Sequence, residues 1–65
     1  MSEEVRERLL NERDDLGVKL KKLASFIYNN DLFNKIDKRQ QKLLKRQLFI
    51  MTEYFDILNE RLEVG

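Results

Sequence analysis

The 65-residue chain contains no cysteine and no histidine. Disulfides, thiolate zinc sites and imidazole acid–base chemistry are thereby excluded. Proline is absent, and glycine occurs only at Gly17 and Gly65. The sequence therefore lacks the residues that most readily interrupt a helix. No stretch approaches the roughly 18 uncharged apolar residues that a membrane-spanning helix needs. Met1 is followed by Ser2, Glu3 and Glu4, the reverse of a basic secretory leader. These features lead to the expectation of a soluble, cytoplasmic protein that does not engage a membrane.

What is present favours helix throughout. Charged residues make up 38 % of the chain, against about a quarter in an average domain, and Leu, Lys, Glu, Arg and Gln dominate. The clearest periodicity lies in the second half. Leu44, Leu48, Met51, Phe55, Leu58 and Leu62 step by four and three alternately, the spacing of one helical seam. Asp37 can cap this helix, with Gln40 three residues on as in a capping box and Ile36 ahead of the cap. A helix over about 38–63 is predicted.

In the first half, Leu9, Leu16, Leu20, Leu23 and Ile27 form a second seam, with Arg13 in the slot between the first two. Ser2 reads as an N-cap followed by acids that complement the helix dipole. Asn29-Asn30 reads as the stop, since asparagine tolerates the left-handed conformation found beyond helix ends. A helix over about 3–28 follows. Gly17 inside it marks either a close helix–helix approach, a bend or a tolerated weak spot. The connector 29–37 carries Leu32, Phe33 and Ile36, apolar residues suited to a 3₁₀ turn folded over the hairpin's end. The expected architecture is a single all-α domain over 1–65, an antiparallel two-helix hairpin with helices of about 39 Å each.

A hairpin alone leaves apolar surface uncovered. Beside the first seam runs a second stripe, Leu43, Gln47, Ile50, Tyr54, Ile57 and Arg61, and Phe49 widens it. One partner helix covers one seam, so Leu43, Ile50 and Ile57 are expected to form an oligomer interface. The simplest result is a homodimeric four-helix bundle, with a higher oligomer as the alternative. Within the stripe, Gln47, Tyr54 and Arg61 form a polar row at seven-residue spacing. They either fix the register of the interface or line a groove that grips a planar anionic ligand.

Charge is segregated along the chain. The segments 1–15 and 48–65 each carry a net of −3, whereas 16–30 and 31–47 carry +3 and +4. Folding the hairpin gathers about −6 at the open end and about +7 at the loop end, which the overall charge of +1 conceals. Lys38, Arg39, Lys42, Lys45 and Arg46 form the densest basic patch. It can serve as a solvated or self-complementary face, or meet an anionic ligand, nucleic acid or an acidic protein.

Catalysis is not expected. Ser2, Ser25 and Thr52 have no triad context. No glycine-rich phosphate loop occurs, and the Glu-x-x-His motif of dimetal bundles needs a histidine. No metal or other cofactor is anticipated.

The series Leu23, Phe26-Ile27, Asn30, Phe33, Gln41, Leu43-Leu44, Gln47-Leu48, Met51, Tyr54, Ile57-Leu58 and Arg61-Leu62 resembles a family of very small helical proteins from tailed phages and prophages, including relatives in crAss-like phages. The run Gln-x-x-Leu-Leu-x-x-Gln-Leu-x-x-Met-x-x-Tyr-x-x-Ile-Leu-x-x-Arg is its most specific part. The basic character of 35–46 departs from the more acidic loop of that family. The resemblance implies a viral accessory protein, located in the host cytoplasm, and no particular chemistry. It favours a non-catalytic oligomer that counters a host function by binding a host protein or sequestering a nucleotide signal. The alternatives are an RNA- or DNA-binding hairpin dimer that uses the basic loop end, and a purely structural assembly factor.

Overall fold

Helix α1 runs from Glu3 to Asn29 and helix α2 from Lys38 to Val64, joined by a 3₁₀ turn over Asp31–Lys35; the computed structural model describes all residues 1–65. The hairpin is all-α and antiparallel. Each start follows from local chemistry. Ser2 Oγ accepts a hydrogen bond from the Val5 N–H at 3.2 Å, and Glu3 and Glu4 occupy the first turn, satisfying an orphan donor and complementing the dipole. Asp37 Oδ1 accepts from the Arg39 N–H at 2.8 Å.

The turn between the helices departs from the sequence reading in two details. Asn30 is extended (φ −122°, ψ 122°), not left-handed. Its side-chain oxygen accepts from the Leu32 N–H at 2.9 Å, so the residue caps the following 3₁₀ turn and does not curl back over α1. Gln40 does not complete a capping box. Gln41 turns back instead, its Nε2 donating to the Ile36 carbonyl at 2.9 Å and tying α2 to the connector.

The two seams meet as their spacing requires. Leu9, Leu16 and Leu58 form the central cluster, Leu58 being completely inaccessible, and Leu20, Met51, Phe55 and Leu62 pack around it. Gly17 is buried against α2, and a Cβ there would stand 3.0 Å from Cε1 of Phe55. The glycine therefore marks a close approach of the helices. Arg13, in the slot between Leu9 and Leu16, reaches across to Asn59 Oδ1 at 3.3 Å and pairs with Asp14 at 3.0 Å. At the loop end, buried Phe33 lies edge-on to Phe26 with ring centroids 6.0 Å apart, and Lys45 Nζ sits 5.8 Å from the Phe33 ring centre.

The result is a thin rod of 47 × 15 × 13 Å. Its radius of gyration is 14.7 Å, against about 11 Å for a globular chain of this length. It exposes 5334 Å², where a compact monomer of this mass would expose about 4,400 Å². No helix is long and apolar enough to cross a membrane.

Candidate functional site

Six of the eleven exposed large hydrophobic residues lie on α2. Because α1 covers only the seam through Leu44, Met51, Phe55, Leu58 and Leu62, the adjoining stripe faces outward. Leu43, Ile50 and Ile57 lie in a line along it and are 47, 54 and 51 % exposed. Phe49 and Tyr54 are exposed beside them. A row this apolar and continuous is unusual for a solvated helix face.

The polar row shares this face but does not form one site within a single chain. Gln47 lies in a groove of about 350 Å³ with Leu43, Arg46, Ile50 and Met51, where its Nε2 lies 3.9 Å from Met51 Sδ. Arg61 lies in a separate groove of about 320 Å³, toward the open end, with Met1, Val5, Leu9, Ile57, Glu60 and Val64. Tyr54 stands between the two grooves and is engaged elsewhere. Its hydroxyl donates to Glu12 Oε1 of α1 at 2.5 Å. That bond to the carboxylate, joined by desolvation and the carboxylate's charge, holds the phenol above its ordinary pKa, against the opposing pull of Arg61.

Helix α1 thus contributes Val5, Leu9 and Glu12 to the rim of the free face. The periodicity places Leu9 in the hairpin seam, leaves Val5 beside it and gives Glu12 no part. Their spacing of four and three is visible in the sequence, but which α2 residues they meet depends on the axial register of the two helices.

The basic patch occupies the loop end. Lys38, Arg39, Lys42, Lys45 and Arg46 are all exposed, and none is in an ion pair, since the two ion pairs present are Arg8–Glu4 and Arg13–Asp14 at the acidic end. Arg46 and Lys42 lie about 40° and 80° round α2 from Ile50, on the side away from the seam that α1 covers, whereas Arg39 lies within about 20° of Ile50. At 100° per residue, Glu53 and Glu60 continue the same flank toward the open end. The acidic side chains gather no cluster of three that could hold a metal ion.

Residues 3–64 match the family model described as Sequestin. No curated protein and no solved structure matches the chain.

Proposed function

The chain belongs to the Sequestin family, and from that and the form of its free face we propose that it is a non-catalytic oligomeric protein that sequesters a small anionic ligand of the nucleotide class. In a phage or prophage setting, such a protein would counter a host function by holding a host signal out of circulation. The family's name supports a sequestering role. The observation that carries the choice of ligand is the position of Arg61. Its guanidinium, a planar fork suited to phosphate, lines an open groove whose other walls are largely apolar. Sugar or base would rest on Val5, Ile57 and Val64 while the anionic group meets Arg61. A host protein docked on the same face is the competing occupant.

Calorimetric titration with a panel of cyclic and linear nucleotides tests the proposal. The wild type should bind at least one of them, and Arg61→Leu should keep the fold and lose that binding. Absence of binding across the panel would make a host protein the preferred target.

A second reading rests on the unpaired cations of the loop end. If they grip RNA or DNA, affinity must fall steeply with salt as counterions are released, with Lys38, Arg39, Lys42, Lys45 and Arg46 dominating the slope. A low-salt gel shift without any complex on duplex, single-stranded or looped nucleic acid removes it.

A further inference from the structure

We propose that the free face of α2 is covered by α2 of a second copy, packed antiparallel about a two-fold axis at Ile50, and that this pairing completes an anion site from Arg61 of one copy and Arg39 of the other. The oligomer and the anion rest on the function proposed above; the orientation and register rest on the distribution of charge.

Two directions are open to such a pair. Packed parallel, the copies would lay a loop end of about +7 on another of about +7, and acidic end on acidic end. Packed antiparallel, each basic end lies on an acidic one, so the long-range field favours this orientation. The short-range pattern then sets the register. In an antiparallel helix pair, the same flank of each helix meets its counterpart. The outer flank reads Lys42, Arg46, then Glu53 and Glu60: cations first, acids second.

Centring the axis at Ile50 sets Ile50 against its own copy and Leu43 against Ile57 of the partner subunit. Along the outer flank it brings Arg46 beside Glu53 of the partner subunit, and Lys42 beside the partner's Glu60. On the inner flank Gln47 meets Tyr54 of the partner subunit. Apolar residues thus fall on apolar ones, and the flanking cations fall on acids. The paired stretch from Arg39 to Arg61 spans about 33 Å of helix, most of the length of the rod. A shift of one turn either way sets Ile50 opposite polar residues, Glu53 and Tyr54 or Arg46 and Gln47 of the partner subunit.

One juxtaposition runs against this complementarity. The same register sets Arg61 opposite Arg39 of the partner subunit, at each end of the interface. Two guanidiniums that face each other are held together by an anion between them, most naturally a phosphate or pyrophosphate group. The Arg61 groove, open in a single chain, acquires its second cation from the other copy. Two such sites arise per dimer by symmetry.

The chain's lack of cysteine makes disulfide trapping a direct test of the pairing. Oxidation should cross-link Ile50→Cys with itself. Leu43→Cys should remain uncross-linked alone and form a heterodimer when mixed with Ile57→Cys. Arg46→Glu should weaken association at least about ten-fold, and adding Glu53→Arg to the same chain should restore it. Self-cross-linking of Leu43→Cys, failure of the rescue, or a wild-type monomer in sedimentation would each overturn the arrangement.

The shared site is tested by mixing variants, with pyrophosphate as the calorimetric probe at low salt. Arg39→Gln and Arg61→Leu should each abolish binding. Mixed and allowed to exchange subunits, they should regain about a quarter of the wild-type sites, because half the dimers then carry one intact site. A mixture as inactive as its components would place both arginines in one chain's site. Failure of the wild type to bind pyrophosphate would refute the anion site while the cross-links still judge the dimer.

Discussion

Gly17 and Phe55 limit how closely the two helices can lie: a Cβ on residue 17 would stand 3.0 Å from the Phe55 ring edge. Alanine there would gain about 1 kcal/mol of helix propensity and lose a comparable amount by displacing the ring a few tenths of an ångström. Gly17→Ala should therefore melt close to the wild type. Gly17→Leu cannot be accommodated by so small a shift and should cost about 1–3 kcal/mol. Thermal denaturation of the two variants checks the pair. A large loss already at alanine would mean that the ring cannot yield.

Leu58 is the one completely inaccessible side chain. Leu58→Ala should lose about 2–5 kcal/mol, much of what a domain of this length has available at about 0.1 kcal/mol per residue. Leu32→Ala, at an exposed position, should stay within about 0.5 kcal/mol of wild type. Urea titration of both variants distinguishes this small core from one spread evenly along the rod.

The bond between Tyr54 and Glu12 predicts a pH dependence. The phenol's pKa in the folded chain lies above its ordinary value because the neutral hydroxyl donates to the carboxylate. Its contribution is therefore fully present below the unfolded phenol's pKa, near 10. It is lost as pH rises through the higher folded value, where phenolate and carboxylate repel. Melting temperatures between pH 8 and 12 should fall less steeply for Tyr54→Phe than for the wild type. Parallel curves would show that the bond adds nothing.

Much of this architecture is legible in the sequence because it is local or periodic. The seam from Leu44 to Leu62 follows from its spacing, and Ser2 and Asp37 act as caps because their side chains reach donors two or three residues away. The outward stripe at Leu43, Ile50 and Ile57 is equally readable, being what one covering helix must leave exposed. The conformation of Asn30 is not legible there, because its side chain serves the next turn, a choice set by where the chain goes afterwards. The meeting of Tyr54 with Glu12 and the separation of Gln47 from Arg61 into two grooves depend on how far one helix slides along the other. No single-helix pattern specifies that distance.

Arg61→Leu separates a ligand-gripping role from a packing role. A guanidinium that only sets interface register can be replaced by an apolar residue with stability kept or raised, and target binding survives. A guanidinium that grips the ligand gives the same melting temperature or better while binding is lost. Melting and calorimetry on one preparation of the variant decide between them.

The chain is proposed to act as an oligomer that holds a small anionic ligand without altering it. Native mass spectrometry of the protein purified from cells that make the ligand reads both halves together. A dimer, or an even assembly of dimers, should appear, carrying extra mass that denaturation releases as an intact phosphate-bearing compound. A bare monomer at tens of micromolar would contradict it.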